Sequence, residues 1–198
     1  MRSRGRGASQ SEAPDHLADD PEPDQEEVAR AIVLRQLAAA PKSRRQLEEK
    51  LAARNVPAEV AASVLDRFEE VQLVDDAVFA QMWVRSRQRS RGLARGALRR
   101  ELQQKGITGD QAEEALEEIS DDQEREAALE LIHKKLRGTS VPAGLSPGDR
   151  AERDKAVRRL SGMLARKGYA PGMALGLVRE VLDAQGQDDS DLVGRGEL

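Results

Sequence analysis

The chain has no cysteine, only two histidines, and only four aromatic residues (Phe, Trp and Tyr) in 198 positions. Without cysteine there are no disulfides, thiolate metal sites or thiol nucleophiles. Reading single-stranded bases by stacking requires several exposed rings. Here Phe68, Phe79, Trp83 and Tyr169 all fall on positions expected to face a core. No run of about 18 apolar residues is available to cross a bilayer. The basic start, Met1 to Arg6, leads into acids and prolines and not into the apolar stretch of a secretion signal. A cytoplasmic protein without membrane attachment is expected. His16 lies in an acidic leader and His133 sits beside Lys134 and Lys135, so both read as surface residues. Asp75 and Asp76 are explained more simply by helix capping than by a metal pair. No Gly-x-x-x-x-Gly-Lys-Ser/Thr loop occurs. The expectation is a protein that is not an enzyme, with no catalytic residue, no cofactor and no metal.

Charged residues make up 34% of the chain and the mean hydropathy is −0.65, which argues against one large core. The net charge of −4 hides an asymmetry. Residues 1–27 and 180–198 carry 4 basic and 14 acidic groups, whereas residues 28–179 carry 28 basic and 22 acidic ones. The body is therefore net +6, between ends rich in Ser, Gly, Asp and Pro that are expected to be disordered, 1–26 and 185–198.

What the body does contain is a repeat. Leu47, Leu51, Val56, Val60, Val64, Leu65 and Phe68 reappear 51 positions later as Leu98, Leu102, Ile107, Gln111, Ala115, Leu116 and Ile119. A shift of 113 from the first copy gives Leu160, Leu164, Tyr169, Met173, Leu177, Val178 and Val181. Each copy is helical on both sides of a short basic break: Arg54-Asn55-Val56, Lys105-Gly106-Ile107 and Lys167-Gly168-Tyr169. Apolar helical spacing at a fixed period marks stacked units, each too small to bury its own face alone.

Val28, Ile32, Leu34 and Leu37 begin a first helix that stops before Pro41. Ser43 and Gln46 form a capping box for the second, and Pro57 suits the first turn of the third. This gives helices near 27–40, 43–54 and 57–70. The second unit opens with Asp75 as N-cap and a stripe of Phe79, Met82, Trp83 and Ser86, breaks at Gly92, and continues with Leu98 and Leu102. Thr108 and Gln111 read as a further capping box. The third unit starts at the box Ser120/Gln123, with Leu129, Ile132 and Leu136 inward. After the Gly/Pro-rich linker 138–147, with Ser146 as N-cap, come helices near 148–167 and 171–184. No alternating strand pattern of useful length is present. The expected fold is all-α: three tandem three-helix repeats (27–72, 73–119 and 120–184) in an elongated, curved arrangement.

The charge that stands out is Arg85, Arg87, Arg89, Arg91, Arg95, Arg99 and Arg100, seven arginines with no acid among them. At about 100° per residue Arg85 and Arg89 point away from the face of Phe79 and Trp83, and Arg99 and Arg100 lie beside and behind that of Leu98 and Leu102. Most of them have no acid three or four residues away, Glu101 being the nearest. Crowded like charge is offset by a polyanion or an acidic protein surface, so these arginines are the candidate binding face. Glu113, Glu114, Glu117 and Glu118 read as a solvated helix face, and Trp83 as a core anchor with Phe79, Leu98 and Leu102.

The run Leu73-Val74-Asp75-Asp76, then Phe79, Ala80, Trp83, Arg85 and Gly92, then Leu98-Arg99-Arg100-Glu101-Leu102-Gln103-Gln104-Lys105-Gly106-Ile107, resembles the RecX family. Ser43 to Leu51 is similar to that family's first unit. The resemblance spans roughly 28–184 and weakens after Arg137. Gln72 and Val74 stand where Gly and Ile are usual. The resemblance implies a monomeric modulator, usually an inhibitor, of the RecA recombinase. Its tandem units lie along the groove of the RecA–DNA filament, limiting filament growth, strand exchange, ATP hydrolysis and coprotease activity in DNA repair and the SOS response. Weak direct DNA binding is compatible with the arginine run. A general helical DNA-binding protein is the alternative, but varied base-reading side chains on one exposed helix are not evident. A plain interaction scaffold leaves the arginines unexplained.

Overall fold

The computed structural model describes residues 24–139, 141–142 and 146–194, with side chains described as far as 186. The leader 1–23 and the last residues 195–198 lie outside the described part, as do most of the ends expected to be disordered. Nine helices and no strand occur among the described residues. They are α1 (Gln25–Ala39), α2 (Arg44–Ala52), α3 (Ala58–Glu70), α4 (Asp76–Arg91), α5 (Arg95–Gln104), α6 (Gly109–Glu117), α7 (Asp121–Leu136), α8 (Pro147–Arg166) and α9 (Pro171–Gly194). They pack as three triplets around three separate cores. The molecule is all-α, built of tandem three-helix units.

Local chemistry places most helix starts where the sequence puts them. Ser43, Ser120 and Ser146 each accept from the N3 backbone N–H while the N3 side chain returns to the cap. Such reciprocal caps satisfy two otherwise orphaned donors. Asp75 accepts from the Val78 N–H at 2.9 Å. Thr108 departs from expectation: it is the N-cap of α6, but its side chain makes no cap hydrogen bond. Gly92 ends α4 with φ +57, a conformation glycine adopts without the Cβ clash. Gln72 has φ +58, which explains why a glycine is the usual residue there. α9 runs past residue 184, where a stop is expected, to Gly194, since no proline follows Pro171 to break it.

The repeat template is the core. Leu47, Leu51, Leu65, Leu98, Leu102, Leu116, Leu160 and Leu164 are all essentially inaccessible to water, each contributing about 1.5–3 kcal/mol by burial. Two stripes differ from expectation. In α1 the buried face is Ala29, Ile32 and Val33, leaving Val28 and Leu34 exposed. In α4 it is Phe79, Ala80 and Val84. α4 lies mainly against α6, and the small Ala80 and slim Val84 allow that close approach. The helix is thereby rotated so that Met82 and Ser86 face solvent.

Consecutive repeats meet at a joint that is built twice. At the first, the Ser43 hydroxyl donates to the Lys105 carbonyl (2.7 Å), and the Arg44 backbone N–H donates to Asp76 Oδ1 (2.8 Å). At the second, the Ala94 N–H donates to the Lys167 carbonyl (2.9 Å), and the Arg95 backbone N–H donates to Glu124 Oε1 (2.8 Å). Ser43 and Ala94, like Arg44 and Arg95, are related by the 51-residue shift. Each joint sets the start of one repeat's second helix on the Lys-Gly turn of the next repeat. A carboxylate from the next repeat's first helix then caps the exposed N–H, where the helix dipole favours negative charge. Ala94 is buried within the third core, and Ser43 is fully buried.

Close approach at the second joint requires glycine on both sides. A Cβ on Gly96 would lie 2.5 Å from the Gly168 carbonyl oxygen, and one on Gly168 (φ +90) would overlap the Ala97 backbone. Gly168→Ala should therefore unseat the third repeat and lower the thermal midpoint by several degrees, read by circular dichroism. Gly176→Ala, inside α9 with open space around it, should raise stability by about 0.5–1 kcal/mol. Equal effects of the two substitutions would contradict this joint.

Candidate partner-binding face

The arginines of α4 and α5 begin on a helix whose apolar face is committed to α6, so most of them point outward. The structure divides the seven by what holds them. Arg85 is locked to Glu118 by two hydrogen bonds, Nε to Oε2 at 2.7 Å and Nη2 to Oε1 at 2.9 Å. Arg99 grips Glu113 in the same way, at 2.7 and 2.6 Å. The Glu113 carboxyl is held below the usual carboxylate range by the hydrogen bonds from Arg99. Both pairs bridge to acids expected on a solvated face, so Glu113 and Glu118 are partners of the arginine run and not bystanders. No acid lies three or four residues from Arg85; for it and Arg99 the acids come from α6 and its C-cap, 33 and 14 residues away in sequence.

Arg95 belongs to the second joint. Its guanidinium reaches Glu124 Oε2 at 2.9 Å and also bonds Asp121, while its backbone N–H holds Glu124 Oε1. Glu124 is only 7% exposed, so Arg95 neutralises a buried carboxylate. Arg87 lies 4.0 Å over the ring of Trp83 and 3.5 Å from Glu101. Trp83 corrects a second expectation. It stacks on Phe79 at 5.7 Å, but it is half-buried at the rim of the core. Its indole N–H donates to Glu101 (2.8 Å), and Lys105 approaches its ring to 4.1 Å. Burial, followed by repulsion from Arg87, lowers the Lys105 pKa. Trp83 thus organises a cluster of two cations and one carboxylate beside the first joint.

Arg89, Arg91 and Arg100 remain. All three side chains are exposed and make no hydrogen bond or ion pair among the described residues. Arg89 and Arg91 sit at the C-terminal end of α4 on a cleft of about 690 Å³ between α4 and α7. Lys167 lines the same cleft, and its α7 wall carries Lys134 together with Glu126 and Glu130. The Lys167 ammonium donates to the Arg91 carbonyl, and the Tyr169 hydroxyl donates to the Gly92 carbonyl at 3.3 Å. The second joint therefore fixes the cleft and the cations at its mouth. Lys167 and Lys134 are absent from the expected set; the basic break Lys167-Gly168-Tyr169 is the sequence signal that marks the first of them. His133 is exposed on α7, as expected.

Comparison with known proteins decides the family. Residues 29–68 match the first three-helix domain of RecX, and residues 75–116 match the second. The regulatory protein RecX of Streptomyces coelicolor is 49% identical over 177 residues, 89% of each chain. The chain belongs to the RecX family. The RecX of Thermobifida fusca is also 49% identical, over 158 residues and 80% of each chain. The crystal structure of RecX from Lactobacillus salivarius superposes with a TM-score of 0.67 over 81% of this chain and 98% of that one, at 21% identity. A second crystal structure, of a regulatory protein RecX, gives 0.65 at 24% identity over 79% of this chain and 74% of that one. At these identities the structures speak for the fold alone. This RecX-family chain accordingly has a regulatory role, and no helix among its described residues is long and apolar enough to cross a membrane.

The division of the arginines carries a stability prediction. Arg95→Gln leaves the buried Glu124 carboxylate without its cation and should cost about 3–5 kcal/mol in urea unfolding. Replacing Arg89, Arg91 and Arg100 together by Gln removes no ion pair and should change stability by less than about 1 kcal/mol. A triple variant as unstable as Arg95→Gln would show that the free arginines are structural.

Proposed function

We propose that this chain restrains the RecA recombinase by binding the RecA–DNA filament, without chemistry of its own. In this reading it limits filament growth, strand exchange, ATP hydrolysis and coprotease activity, and so tunes DNA repair and the SOS response in the cytoplasm, acting as a monomer. Arg85, Arg87, Arg89, Arg91, Arg95, Arg99 and Arg100 form the face involved, with different duties. Arg89, Arg91 and Arg100 make the direct contacts. Arg85 and Arg99 are oriented by Glu118 and Glu113, Arg87 is held on Trp83, and Arg95 fixes the third repeat against the second.

The observation that supports this most is three exposed arginines whose side chains have no partner among the described residues, two of them on the cleft beside the second joint, in a chain whose relatives are named regulatory protein RecX. Unpaired like charge held on a folded surface raises local affinity for an anionic surface and speeds encounter with it. Such contacts, to carboxylates or to phosphates, are screened by ions, so binding weakens as salt rises.

Replacing Arg89, Arg91 and Arg100 by Gln should weaken inhibition of DNA-dependent ATP hydrolysis by RecA at least tenfold and flatten its salt dependence, with the melting curve unchanged. Full inhibition by the triple variant would remove these arginines from the binding face. Loss of affinity for bare DNA with no effect on preformed filaments would favour the DNA-binding alternative.

A further inference from the structure

Six large apolar side chains are exposed among the described residues, and four of them, Val71, Leu73, Val78 and Met82, fall within twelve consecutive positions. Scattered single apolar residues are ordinary on a surface, but a concentration of them marks contact with another molecule. Val78 is 50% exposed and Met82 42%. Val78, Met82, Arg85 and Arg89 are spaced i, i+4, i+7 and i+11, which places them within about 60° of arc on α4, opposite the buried Ala80. The outward face of α4 is one continuous stripe, aliphatic in its first half and cationic in its second.

The charges around the aliphatic half identify the kind of occupant. Asp75 lies three residues before Val78 at the helix cap, and Asp76 is turned away to the Arg44 backbone N–H at the first joint. The Glu118 carboxylate flanks the stripe at Arg85. A phosphate backbone approaching Val78 and Met82 would meet the Asp75 and Glu118 carboxylates and gain nothing from the side chains. A protein surface with an apolar depression edged by one or two carboxylates fits both halves, taking Val78 and Met82 into the depression and pairing with Arg89. Arg85 spends its Nε and Nη2 on Glu118, which leaves its Nη1 without a partner among the described residues. We propose that the outward stripe of α4 docks on the protein component of the filament, through Val78, Met82 and Arg89, and not on its nucleic acid. This rests on the filament-binding reading above.

The test uses the full chain carrying Val78→Ser and Met82→Ser. Both side chains are exposed, so melting should be unchanged, which circular dichroism confirms before use. Affinity is measured for RecA filaments assembled on single-stranded DNA and for the same DNA without protein. The double variant should bind filaments at least fivefold more weakly and bare DNA as well as the unsubstituted chain does. A photo-crosslinking amino acid placed at Met82 should join the chain to RecA and not to DNA. Equal filament affinity of variant and unsubstituted chain, a parallel fall in bare-DNA affinity, or crosslinks to DNA would each overturn the proposal. Failure of the underlying reading is separately visible: the unsubstituted chain would then not bind filaments at all, and both proposals would fall.

Discussion

The seating of one repeat's second helix on the Lys-Gly turn of the next repeat is the contact on which the rest of the molecule depends. Each three-helix unit buries a small core of its own, and burial alone does not say how units sit on one another. The joint supplies that direction. A turn carbonyl receives the N-cap of the preceding repeat, and a carboxylate receives the next backbone N–H, at 2.7 and 2.8 Å in one joint and 2.9 and 2.8 Å in the other. These are hydrogen bonds at a helix N-terminus, where orphaned donors must be satisfied in any case. The two ends of the array lack the same arrangement. In the first repeat the equivalent turn carries Asn55 at φ +59 in place of glycine. In the third, α8 begins at Pro147, so the position equivalent to Ser43, Ala156, lies inside a continuous helix with no free N-cap.

The joint also sorts the arginines. Seven cations in sixteen positions present one solvated block in sequence, but the fold spends them unevenly. One neutralises a buried carboxylate between repeats, two are clasped by acids from α6 and its C-cap, and one rests on an indole ring. Only three are left with nothing to hold, and two of these lie at the cleft that the second joint defines. The acids that clasp Arg85 and Arg99 keep their guanidinium planes in fixed directions, which lowers the entropy lost when a partner is engaged. The proposed binding face is thus an arrangement of free and restrained cations, one of which, Arg95, also helps hold the repeats in register.

Much of the fold was legible because its signals are local. Capping boxes at Ser43 and Ser120, the glycine after Arg91, and the periodic Leu47/Leu98/Leu160 column each depend on residues a few positions apart. The rotation of α4 was not legible, since Phe79, Ala80, Met82, Trp83 and Val84 offer two overlapping stripes and the choice is made by the fit of Ala80 and Val84 against α6. Partners of the arginines were hidden for a related reason: Glu113, Glu118 and Glu124 lie on other helices, and local spacing says nothing about what folding brings near. The basic breaks were visible as a repeated pattern, but their use as seats for the neighbouring repeat appears only in three dimensions. Glu124 in particular reads as one more surface acid in an acidic first turn, yet it is among the few buried charges.

On the proposed filament-binding reading, Arg89, Arg91 and Arg100 are free in the isolated chain and covered in the complex, whereas Arg95 is occupied in both. Arginine-directed modification with phenylglyoxal, mapped by mass spectrometry with and without saturating RecA filaments on single-stranded DNA, measures this directly. Arg89, Arg91 and Arg100 should react readily in the free chain and be protected by filaments, while Arg95 stays unreactive throughout. Undiminished reactivity of Arg89, Arg91 and Arg100 under saturating filament would show that these arginines are not where the chain meets the filament.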